Sequence, residues 1–130
     1  MIAQIKLSNN LAEITRMSEE LENLGNYHQR NEIFIFRVTL TLDELITNII
    51  SYGFKDNDPH QIHINIVDNI DGWEIEIVDD GIAFDPLQAK DPDLGAALED
   101  RKIGGLGVYF AKYYTRNIEY ERVDDKNHLR

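Results

Sequence analysis

The chain has no cysteine, only three prolines, and thirteen basic residues against twenty-four acidic ones. Without cysteine, disulfides and thiolate zinc sites are excluded, and a reducing cytoplasm is its natural home. The net charge is −11 and the basic residues are scattered, so the cationic face that a phosphate backbone demands is missing. No direct nucleic-acid partner is expected. No apolar run approaches the roughly 18 residues that crossing a bilayer needs, and none reads as a secretory leader, so no membrane role is expected. The Gly-x-x-x-x-Gly-Lys-Ser/Thr loop of ordinary P-loop proteins is absent, and no serine or histidine sits in a nucleophile-elbow context. His60 and His63 have no third ligand near them in sequence and are assigned no metal.

What is present suits one globular domain over residues 1–130, with 42% apolar and 28% charged residues. Ile2 to Leu7 alternates as a short edge strand does. Ser8-Asn9-Asn10 offers N-cap residues, and Leu11, Ile14, Met17, Leu21 and Leu24 step by three and four along one helix face, with Gly25 as a stop. The stretch from Glu32 to Phe54 carries two signals. Ile33-Phe34-Ile35-Phe36 is β-branched and aromatic, as in a strand, whereas Ile35, Val38, Leu42, Leu45 and Ile49 keep helical spacing. One long helix is expected there. Ile62, Ile64 and Ile66, then Trp73, Ile75 and Ile77, alternate with polar residues around Asp71-Gly72, which predicts an antiparallel hairpin with one buried face. Asp85 to Ile103 has little pattern and two Asp-Pro pairs, a lid or a disordered connection. Leu106 to Thr115 reads as a helix and Asn117 to Val123 as a strand, followed by a turn at Asp124 to Asn127 and a last strand that barely begins. The sum is a two-layer α/β domain, with a mixed sheet and helices on one face.

Three stretches carry chemistry. On a helix, Glu44 and Asn48 share a face, one turn apart. Such a pair is compatible with a plain solvated face. It also supplies an amide oxygen, from Asn48, for Mg2+ and a carboxylate, from Glu44, to take a proton from an attacking hydroxyl. Asp79 ends a strand and enters a turn through Gly81, two residue types common in any turn. An ionised Asp is also acceptor-only, so it can take a hydrogen bond from an adenine 6-amino group, and glycine lets backbone approach a flat base. Gly104-Gly105-Leu106-Gly107 precedes a helix, where free N–H groups attract phosphate. Arg101 and Lys102 stand just upstream as local cations or as exposed lid residues.

The order and spacing of these stretches resemble the GHKL ATPases, the group named for gyrase, the heat-shock chaperone, histidine kinases and the mismatch-repair protein. Within that group the chain looks most like the small bacterial anti-sigma factor serine kinases. The resemblance rests on the Glu-x-x-x-Asn helix, on Asp79-Asp80-Gly81-Ile82-Ala83-Phe84-Asp85-Pro86, and on Gly104-Gly105-Leu106-Gly107-Val108-Tyr109-Phe110-Ala111-Lys112. It implies a histidine kinase-like α/β sandwich with a lid near 86–103 and a site for ATP and Mg2+. In that site Asn48 binds the metal, Glu44 is the catalytic base and Asp79 reads adenine. Gly81 shapes the base pocket and Gly105 and Gly107 cradle the phosphates, with Phe84, Arg101, Lys102, Gly104 and Leu106 counted among the nucleotide-binding residues. The implied activity is transfer of the γ-phosphate to a serine of an anti-anti-sigma (antagonist) protein. Family members also grip a sigma factor and form homodimers. Tyr52 stands where many relatives have histidine, and Ala83 where proline or glycine is frequent.

Two other readings stay open from sequence. One is a regulatory module that holds a nucleotide and a protein partner without catalysis. The other is the catalytic half of a histidine kinase, against which stand the missing phosphoacceptor helix and Ala83 in place of the Asp-x-Gly-x-Gly form.

Overall fold

The computed structural model describes residues 2–56, 58–88 and 105–130. Strand β1 (Ala3–Ser8) leads into helix α1 (Glu13–Tyr27) and the long helix α2 (Glu32–Tyr52). Strands β2 (Gln61–Asn69) and β3 (Gly72–Asp79) follow, then helix α3 (Gly105–Tyr114) and strands β4 (Tyr120–Val123) and β5 (Lys126–Leu129). The two-layer α/β architecture is as expected, but the sheet is not mixed. Its five strands lie in the order β1-β2-β3-β5-β4, and every described pairing is antiparallel. Hairpin turns link β2 to β3 and β4 to β5, which is why those neighbours run in opposite directions.

The period-2 pattern sets the layers. Ile5 and Leu7 of β1 lie opposite Ile64 and Ile62 of β2, and Ile64 lies opposite Ile77 of β3. All of these are buried, with Met17 and Leu21 of α1 and Leu42, Leu45 and Ile46 of α2 against them. The other sheet face is polar. There Gln4 donates to Asn65 at 2.7 Å, and Asn65 and Arg130 donate to Glu76 at 3.2 and 3.0 Å.

α2 is one helix despite its strand-like start. Asn31 caps it by accepting the Phe34 N–H at 2.8 Å, and the apolar stripe buried under the sheet outweighs local β propensity. The strand-like residues find tertiary roles: Phe34 meets Trp73 edge-on, and Ile35 packs over Gly25. Gly25 therefore does not stop α1, which runs on to Tyr27; a Cβ there would stand 2.5 Å from Ile35 Cγ1. The β2–β3 turn is Ile70-Asp71, one residue earlier than the sequence indicates, with Gly72 opposite Asn69 at φ 144°. Of the expected lid only Pro86, Leu87 and Gln88 are described, as a 3-10 turn. Among the described residues no helix is long and apolar enough to cross a membrane.

Far from the β3 exit, Arg30 ties the α1–α2 connection to the β2–β3 hairpin. It donates to Asp68 Oδ1 at 2.8 Å and to the Asn69 carbonyl, while Trp73 Nε1 donates to the same Asp68 oxygen at 2.7 Å. The Arg30 hydrogen bonds hold the Asp68 carboxyl below the usual carboxylate range. A depressed carboxyl value stabilises the fold above the ordinary aspartate value, about 3.9. That contribution is lost as pH falls through the lower, folded value. Asp68→Asn is therefore expected to lower the urea midpoint at neutral pH and to flatten its acid dependence, read from the fluorescence of Trp73, the lone tryptophan. Parallel pH profiles for variant and parent would exclude this role.

Candidate functional site

The alternation that turns Ile75 and Ile77 to the core puts Asp79 next on the same face, and Asp79 is only 6% exposed. A carboxylate at a core position is costly unless it is hydrogen-bonded. Asp79 Oδ1 accepts the Gly81 N–H at 2.9 Å and Asn127 Nδ2 at 3.0 Å, and among the described residues every donor to Asp79 ends on that one oxygen. Asn127, 7% exposed, turns both ends of its amide toward this turn. Its Nδ2 also donates to the Ile82 carbonyl at 2.8 Å, and its Oδ1 accepts the Phe84 N–H and the Tyr120 hydroxyl. Arg122 donates to the Gly81 carbonyl at 2.8 Å. The register places Asn127 between Asp79 and Arg122, so the β4–β5 hairpin grips the turn that leaves β3.

The same turn docks on α2. The Ile82 N–H donates to the Gly53 carbonyl at 2.8 Å. Gly81 is buried so closely there that a Cβ would stand 2.4 Å from that carbonyl oxygen and 2.9 Å from Asp79 Oδ1. This is a glycine required by close approach. Asn48 lies five residues before Gly53 and Glu44 nine, about 7.5 and 13.5 Å along the axis at 1.5 Å per residue. Both are half-buried, beside the buried Thr41 and Leu45. Burial raises the Glu44 carboxyl, and the charge of Asp43 adds to the rise.

α3 packs on α2, with the Arg37 guanidinium 5.1 Å over the Tyr114 ring. Gly105, Leu106 and Gly107 form its first turn, so the helix begins one residue earlier than expected and takes in two of the glycines. Phe84 stands 58% exposed at the rim. Arg101, Lys102 and Gly104 lie outside the described residues.

Sequence reasoning expected the Glu44/Asn48 turn and the Gly81 bend to share one pocket, and the structure docks the Asp79–Gly81 turn on the end of the helix that carries Glu44 and Asn48. That reasoning missed Asn127, Arg122 and Tyr120, because it took Asp124 to Asn127 as a turn. Asp124 and Asp125 alone make the turn, at φ 52° and 61°, and Asn127 already belongs to β5. Two adjacent aspartates tolerant of positive φ are the signal for a tight hairpin that would have found it.

A family model described as the histidine kinase-like ATPase domain matches residues 7–130. A serine/threonine-protein kinase of Bordetella bronchiseptica, BtrW, is 35% identical over 94 residues, which cover 72% of this chain and 66% of that relative. A serine-protein kinase of Listeria monocytogenes, RsbW, is 26% identical over 84 residues, covering 62% of this chain and 54% of the relative. The chain thus spans less than two thirds of the length of either.

Proposed function

Because the chain belongs to the histidine kinase-like ATPase domain family, we propose that it binds ATP with Mg2+ and transfers the γ-phosphate to a serine of a small antagonist protein of the anti-anti-sigma kind. The observation that carries this reading is the buried Asp79 beside the α2 terminus. Among the described residues its donors, Gly81 and Asn127, both end on Oδ1, so Oδ2 is the oxygen that would meet an outside donor such as the adenine 6-amino group. The missing Cβ at Gly81 lets this turn pack against the Gly53 carbonyl, which holds Asp79 beside the end of α2.

The donor set fits a magnesium nucleotide. The Asn48 amide oxygen is the hard ligand that would hold Mg2+, an ion that usually keeps waters and takes its other ligands from phosphates. When bound, the ion neutralises phosphate charge, help that a chain of net charge −11 needs. The N-terminal turn of α3 is where helix N–H groups would meet the phosphates, with Arg101 and Lys102 as further cations. Glu44, one turn before Asn48, accepts the serine hydroxyl proton as the oxygen attacks phosphorus. Its raised carboxyl value brings it nearer the range of an effective base. Phosphoryl transfer asks little more of a protein than positioning and charge neutralisation. The kinase names of the two relatives support the reaction class. Holding a sigma factor in the cytoplasm and pairing as a homodimer belong to the same proposal.

Calorimetry tests the site. ATP is expected to bind in the micromolar range with Mg2+ and about tenfold or more weakly with EDTA, since phosphate charge then goes unneutralised. No heat of binding in either condition would remove the nucleotide site.

A further inference from the structure

The ring of His60 bridges two separate segments, the stretch leaving α2 and the turn after β3. It stacks on Phe54, just past α2, with centroids 4.3 Å apart and planes 11° from parallel. Its Nε2 is 2.6 Å from Asp56 Oδ1 in the loop after α2, and its Nδ1 is 3.0 Å from Asp80 Oδ1 after β3. Its backbone is fixed as well, since the His60 N–H donates to Asn9 Oδ1 and its carbonyl accepts the Asn9 N–H. An ionised carboxylate only accepts, so both ring nitrogens must donate, and the ring that satisfies this geometry is the imidazolium.

We propose that His60 is a positioning residue for the nucleotide pocket: charged, it straps Asp80, and with it the Asp79–Gly81 turn, to the segment leaving α2, and loss of its proton slackens that strap. This rests on the nucleotide-site reading above. Asp80 directly follows the carboxylate proposed to read adenine, and Asp56 lies three residues beyond the glycine carbonyl on which Ile82 hangs. A neutral ring has one N–H, so one of the two carboxylates would then face a lone pair. The Ile82–Gly53 bond and the grip of Asn127 and Arg122 remain, so the turn loosens without leaving the fold.

The charged groups facing His60 come from several elements. Asp56 and Asp80 bond the ring, and a groove of about 280 Å3 beside it is also lined by Asp79, by His63 of β2 and by Lys126 of β5. The hydrogen bond to Asp56 raises the His60 value above the ordinary imidazole range, with the charges of Asp80 and Asp56 adding to it against partial burial. A raised histidine value means that the strap is complete below about pH 6.5 and is lost as pH rises through the folded value.

The experiment measures MgATP affinity by calorimetry between about pH 6 and pH 9 in the parent, in His60→Gln and in His63→Gln, with imidazole nitrogen shifts followed by NMR. In the parent, affinity is expected to weaken by about tenfold as His60 deprotonates, the worth of one charge-assisted hydrogen bond. His60→Gln is expected to bind weakly with no such step, while His63→Gln keeps it. A parent without the step, or a step that survives in His60→Gln, overturns the proposal. If the parent binds no MgATP at any pH, the nucleotide reading fails separately, and the strap is judged on amide-exchange protection of Ile82. That protection should fall with the His60 titration in the parent alone, and protection independent of pH overturns the strap. Should His60→Gln not fold, Asp80→Asn replaces it, and the His60 titration midpoint must then drop; an unmoved midpoint overturns the proposal.

Discussion

Replacing Glu44 with glutamine is expected to slow phosphoryl transfer to a serine acceptor by about 100- to 10,000-fold, the range a positioned general base contributes. Affinity for MgATP should stay within a fewfold of the parent. Glutamine keeps the shape of the side chain and its place on α2 but cannot take a proton. It also removes a negative charge near the expected position of the triphosphate, so any change in affinity should be toward tighter binding. The pH profile carries the same signature. Burial, aided by Asp43, raises the Glu44 carboxyl, so transfer should decline with acid at a midpoint above the ordinary glutamate value of about 4.3. The limb belongs to the base because only its ionised form can accept the hydroxyl proton. Single-turnover transfer from labelled ATP, run across pH with parent and variant, checks both effects. Equal rates in the two proteins would end the assignment of Glu44, and binding that disappears along with transfer would mean the side chain shapes the site rather than the reaction.

Much of this was legible from local pattern. The isoleucines of β2 and β3 announce their hairpin, and the three-and-four spacing of Leu42, Leu45 and Ile49 outvotes the β-branched start of α2. Where local and tertiary demands part, sequence misleads. Gly25 has the chemistry of a helix stop but serves to let Ile35 approach, a fact about two helices that no single window contains. The sheet was expected to be mixed because helices intervene among its strands. The last strand, however, enters through a tight turn at Asp124-Asp125 and pairs antiparallel with β3 and β4. Asn127 escaped notice for the same reason. Its role comes from lying opposite Asp79 across a strand pair 48 residues apart, a register that composition does not reveal. Asp79 was legible as the end of its strand, and the family resemblance led to the proposal that its turn reads a base. Its burial was not: the structure shows that the alternation through Ile75 and Ile77 carries its charge onto the core face, where a purely structural chain would place a hydrophobe.

That buried charge makes Asp79→Asn the sharpest test of the pocket, because the substitution alters one side of the carboxyl group and spares the other. Inside the fold, an asparagine oxygen can still accept the Gly81 N–H and the Asn127 amide, as Asp79 Oδ1 does, so the turn and its dock on Gly53 should persist. Thermal stability should hold or rise slightly, since a desolvated charge is gone. Toward the pocket, an NH2 group replaces Oδ2 and opposes the adenine 6-amino group, donor against donor. Losing a charge-assisted hydrogen bond costs about 1.5–3 kcal/mol, and with the added mismatch ATP affinity should fall by about 100-fold or more. GTP should lose far less, because its 6-oxo group now meets a donor in place of an anion, so the preference for ATP over GTP narrows. Calorimetry with both nucleotides and a melting curve read the three quantities together. A collapse of the melting temperature would mean that Asp79 serves the turn alone. Unchanged ATP affinity in a folded variant would remove Asp79 from base recognition and leave the β4–β5 grip as a structural device.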